Sequence, residues 1–517
     1  MTAVTVGRTI DPAALVPGAL ASAPFRGQPV SVLGFARSGI ALARFLHDAG
    51  AAVTVYDARA RDDLGRAIDA LEGREVRLLL GPDVEPASAL DGAALITSSP
   101  SINPDYPTTE PRLRSALRAI VERRAGGDRT APAIVSEVDL FLRLCPAPTI
   151  GITGTKGKTT TSALTHALLA AHLDELAVLG GNMGVPLIER LPQLTERHLV
   201  VVELSELQLP TLSRGTTLAA YTNVTSDHLD RHGTLEAYQR VKRRLAELCD
   251  PDGALVVNLD DPVVAGYGAA TSARTVAYRR GEVPIGGLGV AHGWIVADEI
   301  RTPPALVGRE GIGGGFEGGR VLPLAELGIP GAHNVSNALA AVAVALLAGV
   351  PARVIRRAAA AFRGVEHRLE RVADVDGVRY INDSQGTQPD AVIAALRAFD
   401  GPIVLIAGGR DKGVDLAELA SVVGRRAAAA VLIGESGPAL GRLFRDAGLE
   451  TMEHAATLED AVSTADRLAR SAAVARGTRG ATVLLSPAAA SFDMFADYEA
   501  RGRAFKAAVH RLAEERG

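Results

Sequence analysis

A glycine-rich segment between a strand-like run and a helix-like run constrains this chain more than any other feature. Residues 151–161 read GITGTKGKTTT; they follow a short apolar stretch and precede a stretch with helical character. Glycines in such a turn let backbone N–H groups face a phosphate, while Lys158 reaches the outer phosphates and the Thr159 hydroxyl binds Mg²⁺. Ile152 stands where the commonest phosphate-loop pattern has glycine, so a plain turn is the alternative. The strand–loop–helix context favours a phosphate-binding loop.

Lysine is rare in this chain, which makes each lysine informative. Arginine supplies most of the 55 basic residues, and only five are lysine: Lys156, Lys158, Lys242, Lys412 and Lys506. A lysine that persists among arginines indicates a site where a guanidinium cannot replace an ammonium group. Two of the five lie in the glycine-rich segment, which supports its role in phosphate binding.

Composition narrows the class of protein. A length of 517 residues predicts about three or four domains, and 47% hydrophobic with 22% charged residues is typical of a globular protein. The net charge of −4 gives no reason to expect nucleic acid as a partner. Cys145 and Cys249 are too few for a disulfide framework, so we expect a cytoplasmic protein. No apolar run approaches the roughly 20 residues that span a bilayer, so we expect no membrane insertion.

Alternating strand-like and helix-like segments begin at Pro29 and predict an α/β fold with parallel sheets and crossover helices. The pattern starts again near Glu137 and a third time around 362–370. Residues 1–25 lack clear periodicity and are expected to form a loose extension. Residues 281–320 are rich in glycine and are expected to form loops or a short hairpin.

The first turn of this pattern, residues 34–39, is flanked by glycines and precedes a helix-like run. Asp57 closes the following strand, 18 residues after Gly39. This arrangement resembles the start of a dinucleotide-binding fold but lacks Gly-x-Gly-x-x-Gly. A nucleotide or nucleotide-sugar site and a bare structural turn both remain open.

Polar residues after two further strands suggest metal binding. Glu203 ends the apolar run 199–203, where phosphate-loop proteins hold Mg²⁺, although an ordinary strand-end acid is the alternative. His228, in the polar segment 222–232, offers an imidazole to a second divalent ion, unless that segment only caps the next helix. Lys242 on that helix either belongs to a solvated basic face or provides an amine that can be modified.

Several later turns could bind anions or a nucleotide. Asn334 at a helix start could cap the helix or contact a purine or ribose, and Arg368 is a candidate phosphate clamp. Lys412 lies in the glycine-rich turn 408–413, which suits a carboxylate, and residues 486–491 form a turn into a helix. Each turn could be structural alone, but their repetition after strand ends favours a composite site.

These motifs, in this order, resemble the ATP-dependent Mur ligases over about residues 26–515. The resemblance implies three domains: a Rossmann-like domain that binds a UDP-sugar, a central phosphate-loop ATPase domain with a mostly parallel sheet, and a C-terminal dinucleotide-binding-like domain that receives the amino acid. Their expected limits are 26–136, 137–364 and 365–517, after an extension over 1–25. The motifs that carry the resemblance are residues 154–159, 180–182, 203–205, 227–231, Lys242, 331–334, 367–368, 382–384 and 486–493.

The resemblance also implies an activity. Mur ligases form an amide bond with ATP and Mg²⁺, release ADP and proceed through an acyl phosphate. The block ending near Tyr498 is most similar to the branch that adds D-glutamate to UDP-N-acetylmuramoyl-L-alanine in peptidoglycan precursor synthesis. The implied partners are therefore these small molecules, and we expect a monomer.

The same resemblance assigns roles to individual residues. Lys242 matches a lysine that is carbamylated in the family and so becomes a carboxylate-like metal ligand. The implied catalytic residues are Lys158, Lys242 and His228, and the implied metal ligands are Thr159, Glu203, His228 and Lys242. The implied ATP-binding residues are Gly154, Thr155, Lys156, Gly157, Lys158, Thr159, Thr160, Asn334, Arg368 and Asp383. The implied substrate-binding residues are Ser38, Asp57, Ser99, Asn182, Ser205, Gln208, Thr387, Lys412, Ser491 and Tyr498.

The chain departs from the family pattern at three places. Residues 385–388 read QGTQ where the family usually has Lys-Ala-Thr-Asn, Ser101 replaces a usual glycine and Lys156 a common asparagine. Because the lysine is missing, a ligase for L-glutamate or another amino acid is an alternative. A folylpolyglutamate-synthase-like ligase is disfavoured by the domain before the phosphate loop. A nucleotide-switched binding protein is disfavoured by Lys242 and His228, and a dehydrogenase by the incomplete glycine pattern at 34–39.

Overall fold

A computed structural model describes residues 9–227, 229–329, 331–411 and 414–516. The chain divides into two compact units, 1–362 and 363–517. The first unit contains two large sheets and the second contains one. Among the described residues, no helix combines the length and the apolar character needed to cross a membrane. The finer domain limits 26–136, 137–364 and 365–517 remain predictions.

The first sheet has the strand order β3-β2-β1-β4-β5, with all neighbours parallel. This order matches the first five strands of the Rossmann order 3-2-1-4-5-6, which confirms the predicted fold class for this region. The strands are β1 (Pro29–Leu33), β2 (Ala52–Asp57), β3 (Arg77–Leu80), β4 (Leu95–Ser98) and β5 (Ala133–Ser136). The helices are α1 (Arg37–Asp48), α2 (Gly65–Asp69), α3 (Ala87–Leu90) and α4 (Pro111–Ala125).

The described part of the N-terminal segment, residues 9–25, packs on the first unit rather than forming the loose extension expected. Leu15 and Phe25 are fully buried in its core, and Phe25 meets Phe45 edge to face. The N–H of Ile10 donates to the carbonyl oxygen of Ala94. Isolated apolar anchors fix this segment, and such anchors leave no periodic signal in a sequence.

The second sheet has nine strands in the order β16-β13-β12-β11-β10-β9-β6-β8-β7. Neighbouring strands are parallel from β7 through to β12, whereas the pairs β12–β13 and β13–β16 are antiparallel. The glycine-rich region 281–320 therefore extends the sheet instead of forming only loops or one short hairpin. The strands are β6 (Thr149–Thr153), β7 (Ala177–Gly181), β8 (Leu199–Glu203), β9 (Leu218–Tyr221), β10 (Ala254–Asn258), β11 (Arg274–Tyr278), β12 (Leu288–Ala291), β13 (Trp294–Ala297), the separate pair β14 (Ile300–Arg301) and β15 (Gly315–Phe316), and β16 (Gly319–Pro323). The helices are α5 (Glu137–Leu144), α6 (Lys158–Leu173), α7 (Leu229–His232), α8 (Leu235–Glu247), α9 (Pro262–Gly266), α10 (Ala332–Leu347) and α11 (Ala352–Ala361).

The second unit is built on a six-stranded sheet, β17-β18-β22-β19-β20-β21, in which only the β17–β18 pair is antiparallel. The apolar runs of the sequence at 379–381, 403–407, 430–433 and 482–485 lie in its strands. The strands are β17 (Glu370–Val375), β18 (Val378–Asn382), β19 (Ile403–Gly408), β20 (Ala427–Ile433), β21 (Met452–His454) and β22 (Ala481–Leu485). The helices are α12 (Pro389–Arg397), α13 (Ala417–Arg426), α14 (Gly437–Asp446), α15 (Leu458–Ala475) and α16 (Tyr498–Glu514).

Candidate active site

The glycine-rich loop joins a central strand of the second sheet to a long helix. β6 pairs with β8 on one side and β9 on the other, and α6 begins directly after Gly157. Gly157 has a φ of +85°, and a Cβ there would lie 2.3 Å from Oδ1 of Asn337 on α10. Another residue would be strained and would displace Asn337, so the close approach of α10 requires glycine here.

Residues 222–225, after β9, hold the loop in shape. The N–H of Thr155 donates to the carbonyl oxygen of Asn223 (2.7 Å), and the N–H of Lys156 donates to Oδ1 of Asn223 (3.0 Å). The hydroxyl of Thr222 donates to the carbonyl oxygen of Lys156 (2.6 Å), and the Thr155 hydroxyl lies 3.0 Å from that of Tyr238. This network fixes the loop backbone, so the loop needs little reorganisation to bind a charged group.

Two ammonium groups meet at one carbonyl oxygen of the loop. Nζ of Lys158 donates to the carbonyl oxygens of Gly154 (3.0 Å) and Thr155 (2.8 Å), and Nζ of Lys242 also donates to that of Gly154 (2.9 Å). Lys242, on α8, is fully buried. Burial, reinforced by the charge of Lys158, lowers the pKa of Lys242 to about 7. A large fraction of Lys242 is therefore a neutral amine near neutral pH.

Glu203 is a buried carboxylate at the end of β8, beside β6. Its Oε1 accepts a hydrogen bond from Nδ2 of Asn182 (2.8 Å), and its carbonyl oxygen accepts one from the Asn182 N–H (2.9 Å). Its Oε2 is buried and has no hydrogen-bond partner among the described residues. A buried carboxylate oxygen without a hydrogen-bond donor is energetically unfavourable unless a cation binds to it. This oxygen is therefore suited to bind a divalent metal ion.

The residues that follow Glu203 form a polar cluster. Oε1 of Gln208 accepts from the N–H (2.8 Å) and the hydroxyl (3.0 Å) of Ser205. Oε1 of Glu206 lies 2.9 Å from a guanidinium nitrogen of Arg231, and the Tyr106 hydroxyl of the first sheet's domain donates to the Glu206 carbonyl oxygen (3.4 Å). The structure thus brings the predicted residues Ser205 and Gln208 to the same sheet edge as Glu203.

The start of α10 lies beside the phosphate loop. Nδ2 of Asn337 donates to Oδ1 of Asn334 (3.1 Å), and Asn337 is the residue that Gly157 approaches. Thr159 is buried and Thr160 half-buried in the first turn of α6. Two predicted site residues, His228 and Lys412, lie outside the described residues.

The turn 34–39 of the first domain has the close packing that a ligand-binding βα turn needs. A Cβ on Gly39 would lie 1.8 Å from the carbonyl oxygen of Gly34, so glycine is required. Oδ2 of Asp57 accepts from the N–H of Phe35 (2.7 Å), and Asp57 pairs with Arg59. Burial alone would raise the pKa of Asp57, but the hydrogen bonds from Arg59 and Phe35 outweigh it and lower that pKa. The predicted residues Ser38 and Ser99, both half-buried, lie at the same end of this sheet.

In the second unit, Asp383 lies buried between two turns. Its Oδ2 accepts from the hydroxyl of Ser486 (2.6 Å), and its Oδ1 accepts from the N–H of Leu369 (3.1 Å). Burial raises its pKa to about 6, although these hydrogen bonds and the nearby charge of Arg368 act in the opposite direction. Arg368 is exposed, as a phosphate clamp needs to be.

A buried arginine joins the two turns that carry the predicted amino-acid-binding residues. Nε of Arg501 donates to the hydroxyl of Ser384 (3.0 Å), and its other nitrogens donate to the carbonyl oxygens of Ser384 (2.9 Å) and Ala489. The Ser384 hydroxyl in turn donates to the carbonyl oxygen of Tyr498 (2.8 Å). Thr387 and Ser491 lie in these two turns, half-buried and buried respectively.

Sequence reasoning did not assign roles to Asn223, Tyr238 and Arg501, whose side chains support the residues of the site. Asn223 lies inside the polar segment 222–232, and Arg501 lies three residues after Tyr498, so their proximity to the site could have been predicted. Tyr238 precedes Lys242 by one helical turn, a spacing that places both on one face of α8. The contact of Asn337 with Gly157 spans 180 residues and leaves no local signal.

Comparisons with known proteins agree with this geometry. The family models described as "Mur ligase middle domain" and "Mur ligase, glutamate ligase domain" match residues 152–345 and 367–489. The UDP-N-acetylmuramoylalanine–D-glutamate ligase of Pelotomaculum thermopropionicum is 37% identical over 94% of this chain and 98% of its own length. That of Symbiobacterium thermophilum is 38% identical over 93% of this chain and 98% of its own length. The chain therefore belongs to the Mur ligase family of ATP-dependent, amide-bond-forming ligases.

Proposed function

We propose that this enzyme adds D-glutamate to UDP-N-acetylmuramoyl-L-alanine, with Mg²⁺ as cofactor and as a monomer in the cytoplasm. The names of its relatives, at 34% to 38% identity over nearly the whole chain, support this substrate pair. The observation that carries the proposal is the convergence of Lys158, Lys242 and the buried Glu203 around one glycine-rich loop. Such a set neutralises phosphate charge and holds a metal ion at the same place.

The reaction activates a carboxylate, which is a poor electrophile. The L-alanine carboxylate attacks the γ-phosphorus of ATP, ADP leaves, and an acyl phosphate forms. The amino group of glutamate then attacks the acyl carbon, loses a proton, and the tetrahedral intermediate expels inorganic phosphate. Positioning and charge neutralisation supply most of the catalysis in such phosphoryl and acyl transfers.

The chain's own residues divide this work. The loop amides and Lys158 would bind the phosphates, and the buried Oε2 of Glu203, the Thr159 hydroxyl and a carbamylated Lys242 would hold metal ions, with His228 as a further ligand. Mg²⁺ would neutralise charge on the phosphate oxygens during transfer. Asn182, Ser205 and Gln208 would orient the acyl group, while Ser38, Asp57 and Ser99 would bind the uridine diphosphate.

Further residues would bind the nucleotide and the amino acid. Asn334 of α10 would contact the adenine, and Arg368 and Asp383 would contact the ATP phosphates and ribose. Thr387, Lys412, Ser491 and the backbone of Tyr498 would bind glutamate. In support, the Arg501 hydrogen bonds hold the turns containing Ser384 and Ala489 together, and a rigid frame is what discrimination between enantiomers needs.

The test is ADP release by the purified enzyme with ATP, Mg²⁺ and UDP-N-acetylmuramoyl-L-alanine, adding D-glutamate or L-glutamate in turn. We expect release that requires both the sugar nucleotide and D-glutamate, and Gln385 would then be a tolerated replacement of lysine. A clear preference for L-glutamate would overturn the D-specific proposal. Release with neither enantiomer would redirect the search to other amines.

A further inference from the structure

Arg37 joins the turn of the first domain to the edge of the second sheet. It is the first residue of α1 and belongs to the turn 34–39, next to Ser38. A nitrogen of its guanidinium donates to the carbonyl oxygen of Asn182 across 145 positions of the chain (3.1 Å). This hydrogen bond connects the proposed sugar-nucleotide turn to the loop that follows β7.

Asn182 in turn contacts Glu203. Its N–H and its side-chain amide both donate to Glu203, at 2.9 and 2.8 Å. Because Oε1 is occupied by the amide, the rotamer of Glu203 is fixed and Oε2 is the oxygen left for a cation. Asn182, the residue that orients the proposed metal ligand, is therefore also held by Arg37 through its carbonyl oxygen.

The surroundings of Arg37 strengthen this connection. Glu137, at the start of α5, is fully buried, and its Oε1 accepts a long hydrogen bond from the N–H of Ile188 (3.4 Å) in the same segment as Asn182. Burial raises the pKa of this carboxyl group to about 7, and the positive charge of Arg37 acts to lower that pKa. Farther along α1, Arg44 approaches Glu189 (3.7 Å). Segment 182–190 is thus held against α1 and α5.

We propose that Arg37 is a positioning residue that couples binding of the sugar nucleotide at turn 34–39 to metal binding at Glu203, through Asn182. The coupling rests on the proposed function, because it needs both ligands. A ligand that orders the first turn of α1 also orders the Arg37 backbone and favours the guanidinium position that holds Asn182. By linkage, the sugar nucleotide should tighten metal binding and the metal should tighten sugar-nucleotide binding by the same factor.

Metal binding can be measured without turnover. Mn²⁺ serves as the probe, in electron paramagnetic resonance titrations of the full chain with a non-hydrolysable ATP analogue, with and without UDP-N-acetylmuramoyl-L-alanine. In the wild type we expect the sugar nucleotide to tighten Mn²⁺ binding about fivefold, the low end of site-to-site couplings, because Arg37 is exposed. In Arg37→Met, which keeps the length and helix propensity, the tightening should fall below about twofold.

Matched variants separate this role from general loosening. Arg44→Met removes another guanidinium of α1 that contacts segment 182–190 but not Asn182, and it should retain the full coupling. Arg37→Lys keeps a charged donor and should retain part of it, and thermal unfolding of each variant checks the fold. Full coupling in Arg37→Met, or equal loss in Arg44→Met, would overturn the inference. If the wild type binds Mn²⁺ but the sugar nucleotide never changes the affinity for Mn²⁺, the inference is wrong and the proposed function is unaffected. If the wild type binds no Mn²⁺, the proposed function fails with it.

Discussion

Two turns of the first unit share one geometry and carry different chemistry. Both the phosphate loop and turn 34–39 link a parallel strand to a helix, and each contains a glycine without room for a Cβ: Gly157 against Asn337, and Gly39 against Gly34. The phosphate loop gathers the ammonium groups of Lys158 and Lys242, whereas turn 34–39 is held by the carboxylate of Asp57. Backbone geometry makes a site at each strand end, and the side chains behind it decide which ligand fits.

The largest effect should come from Lys158→Arg. This change keeps the positive charge but not the compact ammonium group that reaches two loop carbonyls. We expect the rate of ligation, measured as steady-state ADP release, to fall by at least about 100-fold. Loss of one preorganised hydrogen-bond donor to a transition state has an effect of this size. An enzyme that keeps more than a tenth of its activity would show that charge alone suffices here and would weaken the contrast between the two turns.

The buried Lys242 provides the next prediction, which depends on pH. Because its pKa is lowered to about 7, the neutral amine that reacts with CO₂ increases as pH rises through 7, whereas an ordinary lysine needs a pH near 10. With ¹³C-bicarbonate, a carbamate signal in the NMR spectrum should therefore be strong at pH 8 and weak at pH 6. Lys242→Arg should lack the signal and lose most activity. A signal that the variant retains would assign the carbamate to another group.

Asp57→Asn tests the other turn. The amide keeps an acceptor for the Phe35 N–H but loses the charge that pairs with Arg59. We expect the KM for the sugar nucleotide to rise about tenfold while the KM for ATP stays within about twofold, since a charge-assisted hydrogen bond is lost at one site only. An equal rise in both KM values would mean that the two turns are not separate sites.

The smallest effect concerns stability. Glu137 has a pKa raised to about 7 by burial, so the folded state binds more protons than the unfolded state between about pH 4.3 and 7, and stability falls as pH rises through that window. Glu137→Gln removes this titration. The free energy of unfolding of the variant relative to the wild type should therefore increase by about 3 kcal/mol from pH 4 to pH 8 in urea titrations. A constant difference across this range would show that Glu137 is ionised throughout.

The sequence predicted those parts of the molecule whose signal is local. The glycine-rich loop between a strand and a helix, Glu203 at its strand end and the strands of the second unit follow from short motifs and apolar runs, and the structure has them at those positions. Parallel strands also bring their carboxyl ends to one edge, so the gathering of Glu203, Ser205 and Gln208 beside the loop could be expected.

Long-range packing determined the parts of the fold and of the site that the sequence did not predict. Burial of Phe25, the contact of Asn337 with Gly157 and the hydrogen bond from Arg37 to Asn182 depend on how distant segments meet. A glycine-rich composition predicted loops or a short hairpin at 281–320, and the structure has the hairpin β12–β13 but also adds the strand β16 beside β13. Tertiary pairing overrode the local preference there.

Activation of the carboxylate as an acyl phosphate can be tested by following the oxygen atoms of that carboxylate. UDP-N-acetylmuramoyl-L-alanine labelled with ¹⁸O at both oxygens of its carboxylate is converted with ATP and D-glutamate, and the released phosphate is analysed by mass spectrometry. We expect one ¹⁸O atom in each phosphate, because the attacking oxygen leaves with phosphorus. Phosphate without ¹⁸O, at normal amide formation, would contradict it.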